Sequence, residues 1–231
     1  MTILCFIIPL LLFSSWLALY GLRPGPQARV ENAVITIPRG SSIQGIAAIL
    51  AEKRLISEDL RFLILAKISG YGGLLKAGEF RLDTGKSPLE VLKALAATKP
   101  IQHSITIREG LRASEIAAIF AEGGWFDPRS FANLLVDKEF IAKQGLAGVD
   151  SLEGYLFPDT YILTRDGRGA EKIMSLMVGR FNKVWEEITA KHGDKPDRGK
   201  TVVLASMVEK ETGAAAERPL IAGVFLNRLQ Q

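Results

Sequence analysis

The sequence predicts an α+β protein behind an N-terminal transmembrane helix. Three observations predict it: an uncharged apolar run at 2–22, a strand-turn-helix pattern that occurs twice between 35 and 122, and long helical periodicity after 124. With 231 residues, 48% of them hydrophobic and 23% charged, the chain can bury one substantial core or two smaller ones. Composition also narrows the function. A lone cysteine, Cys5, excludes an internal disulfide, and the two histidines, His103 and His192, give no Cys/His cluster for structural zinc. No calcium-loop spacing is present. The formal charge of +4 is mild and its basic residues are dispersed. Neither a nucleic-acid footprint nor a dinucleotide or phosphate loop is visible.

Taken in order, residues 2–22 are long enough as a helix to cover ~30 Å, about one bilayer core. Pro9 bends such a helix without forbidding it in lipid. Trp16 and Tyr20 fall near the end, where interfacial aromatics are expected. Residues 1–22 are therefore expected to anchor the chain in a bilayer and 23–29 to form a Pro/Gly linker. Arg23 and Arg29 follow the span with no basic residue before it. Charge bias alone thus favours a cytoplasmic C-terminal part.

Asn32–Pro38 reads as a strand stopped by proline, and 42–53 as a helix with Ser41 or Ser42 as its cap. Asp59–Ser69 gives another helix, ended by Gly70-Tyr-Gly-Gly73. A second strand is expected at 77–82 and a helix at 87–96, beginning near Pro88. The pattern then repeats. Ile35-Thr-Ile-Pro-Arg-Gly40 matches Ile105-Thr-Ile-Arg-Glu-Gly110, Ile46-Ala-Ala-Ile49 matches Ile116-Ala-Ala-Ile119, and Ala51-Glu52 matches Ala121-Glu122. Two copies argue for two related α+β units, since a solenoid needs three or more.

After residue 124, Trp125, Phe126, Phe131, Leu134 and Leu135 suggest packing around a short helix. In Ser151-Leu-Glu-Gly-Tyr-Leu-Phe-Pro-Asp-Thr-Tyr-Ile162 aromatics alternate with Glu153 and Asp159 beside a Pro-Asp turn signal. Carboxylates beside aromatic faces suit a carbohydrate site, and a structural turn with core aromatics fits equally well. Residues 170–191 form a long helix in which Ile173, Met177, Phe181, Trp185 and Ile188 make a core stripe.

Val202-Val-Leu-Ala-Ser-Met-Val-Glu209-Lys-Glu-Thr212 is apolar enough to be buried yet carries two carboxylates. On a helix, Ala205 and Glu209 share one face and Glu211 points elsewhere. Residues 218–229, with Pro219 in the first turn, read as a second helix. A carboxyl group against apolar surface suits general acid chemistry. A capping or surface-paired glutamate is the plainer reading of Glu209, and both stay open at this point.

These residues carry a family resemblance. Ile37-Pro-Arg-Gly40, Lys76-Ala-Gly-Glu-Phe-Arg-Leu82 and Ile107-Arg-Glu-Gly110 contribute to it. More specific are Leu152-Glu-Gly-Tyr-Leu-Phe-Pro-Asp-Thr-Tyr161, Leu204-Ala-Ser-Met-Val-Glu-Lys-Glu-Thr212, Glu217-Arg218 and Ile221-Ala-Gly-Val-Phe-Leu-Asn-Arg-Leu229. From about residue 30 onward the chain resembles the YceG-like family, the endolytic murein transglycosylases of bacteria.

The resemblance implies a LysM-like small α+β module at 30–100, which would bind peptidoglycan, and an α-rich YceG-like catalytic domain at 101–231. It implies single-pass attachment to the inner membrane with the enzyme facing the periplasm or outside, which overrides the charge bias at 23–29. The implied reaction cleaves the β-1,4 bond between N-acetylmuramic acid and N-acetylglucosamine, leaving a 1,6-anhydro end. It needs no cofactor or metal. Peptidoglycan strands, cell-wall synthases at the membrane and the lipid bilayer are the implied partners, with no nucleic acid.

Glu209 takes the position of the family's catalytic glutamate. Glu153 and Asn227 occupy site-lining positions, and Tyr155 and Asp159 stand beside them in the aromatic-acidic stretch as supporting residues. Two alternatives accompany this reading: a glycoside hydrolase using Glu209 and Glu153 as a pair, and an inactive peptidoglycan-binding scaffold. The family also continues beyond Asn-Arg-Leu with a Leu-Gln-Ser-Asp-Pro-Thr tract and begins with basic residues before its span. Incomplete ends are therefore expected here.

Overall fold

A computed structural model describes residues 2–26, 31–193 and 196–229. Two compact units emerge. The first runs through His103 and takes in Leu163–Asp166; the second comprises Ser104–Ile162 and the chain from Gly167 onward. Small sheets and many helices make the fold α+β, as the sequence implies. Part of the expected 23–29 linker lies outside the described residues.

In the first unit, β1 (Asn32–Ile37) pairs antiparallel with β2 (Gly78–Asp83), from Asn32 opposite Asp83 to Ile37 opposite Gly78. The period-two pattern places Ile35 and Ile37 on the buried face with Phe80 and Leu82. Three helices cover that face: α2 (Ile43–Glu52), α3 (Leu60–Ile68) and α4 (Pro88–Ala97). Each starts at a residue suited to the task. The Ser42 hydroxyl accepts from the Gly45 amide, and the Asp59 carboxylate accepts from that of Arg61. Ser87 and Glu90 form a reciprocal capping box, with Pro88 at the first position.

The transmembrane helix expected at 2–22 is not supported: among the described residues no helix is long and apolar enough to cross a membrane. The segment is nonetheless helical, as α1 (Thr2–Leu22). Its last turns serve the first core instead. Leu17 and Tyr20 belong to the same buried cluster as Phe62, Val91 and Leu92.

The second unit opens with the second copy of the repeat. Here β3 (His103–Thr106) leads through Gly110 into α5 (Ala113–Glu122). Its helix starts 70 positions after α2 and is likewise ten residues long. Gly40 and Gly110 adopt nearly the same left-handed conformation, φ 76° and 75°. Ile46 and Leu50 in the first copy correspond to buried Ile116 and Phe120 in the second.

The chain continues through α6 (Pro128–Leu135) and α7 (Lys138–Lys143) to β4 (Thr160–Leu163), which pairs with β3. The aromatic-acidic stretch thus ends in a strand that turn residues alone do not reveal.

Three helices complete the unit: α8 (Ala170–His192), α9 (Arg198–Glu211) and α10 (Arg218–Arg228). Two expectations are corrected here. The α8 stripe is core only at its start. Ile173 and Met177 are buried, whereas Phe181 and Trp185 are half-buried and Ile188 is 51% exposed. At 1.5 Å per residue a helix of this length runs ~35 Å, farther than the packing around its first turns. Nor is the apolar 202–212 stretch buried. Only Val208 and Thr212 are, while Val203 and Met207 are exposed because α9 packs mainly on α10.

Two substitutions separate capping from core packing in the first unit. Ser87→Ala removes a cap and should cost about 1 kcal/mol. Leu92→Ala empties a fully buried site and should cost about 2–5 kcal/mol. Urea unfolding of both variants measures the order; equal losses would contradict this account of α4.

Candidate active site

The turn of the second repeat is the floor of the site. In the first copy, Ser42 caps its own helix. The corresponding residue of the second copy is Arg112, whose side chain has no acceptor for the α5 amides. The cap comes from far away in sequence. Glu153 Oε1 accepts from the Ala113 amide at 3.0 Å, while Glu115 accepts from the Arg112 amide at 2.7 Å. Glu153 thereby ties the 151–161 stretch to the N-terminus of α5, where a carboxylate also meets the positive end of the helix.

The other side of the same turn meets α9. An atom placed as a Cβ on Gly110 would lie 3.9 Å from the Glu209 side chain. Lys210 Nζ donates to the Gly110 carbonyl at 3.1 Å. Arg218, at the start of α10, reaches two carboxylates with one nitrogen: Glu209 Oε2 at 3.4 Å and Glu109 Oε2 at 3.6 Å. Its Nε is buried without a partner among the described residues. The Glu209 side chain keeps 31% of its surface exposed, so it is both oriented and reachable. Thr212, buried at the end of α9, donates to Glu217 at 2.8 Å and accepts from the Ala214 amide at 2.9 Å. That bond network fixes the turn which brings Arg218 back to Glu209.

The third contact is steric. Gly154 adopts φ 82°, and a Cβ there would stand 2.8 Å from Val202 Cγ1 on α9. Glycine answers both demands, left-handed backbone and close approach. Beside it, Tyr155 is buried and meets Phe181 edge-on at 5.1 Å. Burial pushes its phenol above the usual range, so it stays neutral. Asp159 accepts from Arg180 Nε and from the Thr160 amide, both at 2.7 Å. Its carbonyl accepts from the Ile107 amide at 3.0 Å. The side-chain bond from Arg180, with the Thr160 bond behind it, holds the Asp159 carboxyl below its usual range.

The expected residues therefore divide. Glu209 stands partly exposed at a cluster of charged groups. Glu153 packs against the same turn as a cap, Tyr155 supports it from the buried side, and Asp159 fastens the stretch to α8. Asn227 is exposed on α10, nine residues beyond Arg218, which is ~14 Å along a helix. Glu109, Lys210, Gly154 and Arg218 were not singled out as site residues by sequence reasoning. Their signal is present, since Glu109 and Arg218 lie inside two of the quoted motifs, but nothing in the sequence pairs positions 109 residues apart. Among the described residues, no group of three or more His, Cys, Asp or Glu side chains is placed to hold a metal ion.

Fold and site together define a two-unit α+β protein with a carboxylate centre in its helical second unit. A model of the YceG-like family matches residues 35–231, and the chain belongs to that family. It is similar, at 29% identity over 92% of its length, to a Bacillus subtilis (strain 168) protein named endolytic murein transglycosylase, of which 64% is covered. A Streptococcus pneumoniae (strain D39) protein of the same name is also 29% identical, over 87% of this chain and 41% of the relative. This chain thus spans less than two thirds of the curated relatives' length. A crystal structure of a yceG-like protein from Listeria monocytogenes is similar at 27% identity and a TM-score of 0.47, covering 87% of this chain and 71% of that one.

The Asp159–Arg180 pair should be visible in the pH dependence of stability. Folding lowers this carboxyl's pKa, so the pair stabilises above the unfolded-state value, about 3.9. That contribution fades as pH falls through the folded-state value. Urea unfolding should therefore show Arg180→Gln less stable than the parent at pH 6, with the gap closing in acid. A gap independent of pH would contradict the assignment.

Proposed function

We propose that this chain carries the cleaving centre of a peptidoglycan lytic transglycosylase, with Glu209 as general acid and then base. The observation that carries this reading is the presentation of Glu209. It is a partly exposed carboxylate, oriented by Arg218, on a helix within the family match. The relatives' names supply the substrate class.

In the proposed reaction, the Glu209 carboxyl protonates the glycosidic oxygen of a muramyl residue as its C1–O bond breaks and the anomeric carbon gains oxocarbenium character. The N-acetylglucosamine end leaves as the alcohol. Glu209, now a carboxylate, takes the proton of the muramyl C6 hydroxyl, and O6 bonds to C1 to close the 1,6-anhydro ring. No water is consumed, and the acid returns to its starting state. Attack within one sugar gains from proximity over an external nucleophile. Arg218 keeps the carboxylate pointed at one position through the cycle. Tyr155 and Phe181 hold the floor beneath the 151–161 stretch, and Asn227 contributes farther along the glycan.

A hydrolase using Glu153 as second carboxylate is less well supported, because Glu153 Oε1 is engaged by the Ala113 amide. Glu109, which shares Arg218 with Glu209, would be the partner in such a scheme.

The proposed setting is the bacterial inner membrane, reached through α1, with the enzyme outside the cytoplasm. Ile8, Leu11, Leu12, Leu19 and Leu22 expose apolar side chains along that helix, which favours contact with lipid. The first unit would hold peptidoglycan for the second.

Mass analysis of muropeptides released from purified murein tests the chemistry. The parent should leave ends lighter by one water than reducing ends. Glu209→Gln should lose at least about 100-fold of the rate, the scale of general acid catalysis. Glu153→Gln retains an amide oxygen for the Ala113 bond and should keep most of the activity. Reducing ends from the parent, or an active Glu209→Gln, would overturn the reading.

A further inference from the structure

A second candidate site lies in the first unit, where α1 ends. A cavity of about 260 Å³ opens there, lined by Trp16, Tyr20, Arg23, Ser57, Arg61 and Pro88, with Gly25 and its flanking prolines at the rim. It has room for several waters. Its chemistry differs from the apolar core behind it. Arg61 lies over two aromatic faces, 4.5 Å from the Tyr20 ring and 5.5 Å from that of Trp16. Its guanidinium also pairs with Asp59. Arg23 is exposed, and no ion pair of it is found among the described residues. One positive charge therefore remains after Asp59 has been matched.

Backbone polarity has the same sign. Pro88 is the first residue of α4 and Arg61 the second of α3, so the positive ends of two helices border the cavity. Tyr20 supplies an independent sign of a missing partner. It is 7% exposed and lines the cavity, yet its hydroxyl has no hydrogen-bond partner among the described residues. A buried hydroxyl left unpaired costs free energy that a ligand oxygen would recover.

The surroundings indicate which anion fits. α1 carries no acidic or basic residue in its terminal turns, and Leu12, Leu19 and Leu22 stand 67%, 52% and 68% exposed on it. Directly after Leu22 comes Arg23. An apolar surface thus meets arginine and aromatic side chains within one turn, the sequence of environments found from acyl chain to headgroup.

We propose that this cavity binds the phosphodiester of an anionic phospholipid, with Arg23 and Arg61 on the phosphate, Tyr20 donating to one of its oxygens, and the acyl chains along α1. This rests on the proposed membrane attachment of α1 but adds a headgroup preference to it. Such a site would fix how deeply the first unit sits at the bilayer surface.

Native mass spectrometry of the full chain in neutral detergent micelles tests this. Titration with phosphatidylglycerol should give one saturable bound lipid, and phosphatidylcholine should give none. Each of Arg23→Ala and Arg61→Gln should weaken binding about fivefold, the worth of one basic residue near an anionic surface. Arg81→Gln, on β2 away from the cavity, should change nothing. Arg23 lies outside the Asp59 pair, so Arg23→Ala remains informative if Arg61→Gln disturbs α3.

Equal retention of both lipids, or unchanged binding by Arg23→Ala, would overturn the site. Displacement of the lipid by millimolar inorganic phosphate would mark a free-phosphate site and overturn the lipid assignment. Flotation of the full chain with phospholipid vesicles reads attachment separately: a chain left behind by the vesicles refutes the membrane reading, whatever the micelle titration shows.

Discussion

The close approach of Gly154 to α9 is the constraint on which the second unit depends. With no side chain at that position, the 151–161 stretch lies against Val202, one turn before Ser206 and two before Glu209. The next residue back, Glu153, can then reach the α5 N-terminus, and the next forward, Tyr155, can insert beside Phe181. A methyl group at 154 would meet Val202 at 2.8 Å. Because Val202 is β-branched it has few rotamers with which to yield.

From that contact the rest follows outward. The repeat turn at 108–112 is held between Glu153 on one side and Lys210 with Glu209 on the other. Arg218 closes the arrangement by facing both Glu109 and Glu209. These ion pairs are partly exposed, so each adds little to stability. Their value is directional: in the proposed reaction the Glu209 carboxyl group has to meet one oxygen and so has to be kept in one place. The duplicated strand-turn-helix unit has thereby diverged in use. Its first copy caps itself through Ser42, whereas the second has Arg112 at that position and depends on Glu153 from a distant stretch.

Much of this was legible in the sequence. Period-two and helical patterns, the Ser41–Ser42 pair, Asp59 and Pro88 located the elements of the first unit, because caps and turns act through neighbours in the chain. The repeat was legible to the residue. Contacts between distant positions were not. Glu153 reads as a free carboxylate until Ala113 is placed beside it, and Arg218 reads as a helix-start residue until α10 folds back on α9. Apolarity also misled at 202–212, since a hydrophobic run records what could be buried and not what covers it. The late half of the α8 stripe failed for the same reason: periodicity continues after the packing partners end.

A double-mutant cycle on Gly154 and Val202 tests the central claim most directly. Unfolding free energies are measured for the parent, Gly154→Ala, Val202→Ala and the pair. Steric contact predicts that Gly154→Ala costs less once Val202 is shortened, with a coupling on the order of 0.5–3 kcal/mol. Strain from φ 82° would remain in both backgrounds. Additive effects would show that the stretch does not rest on α9 through this contact, and would contradict the account of how the site is built.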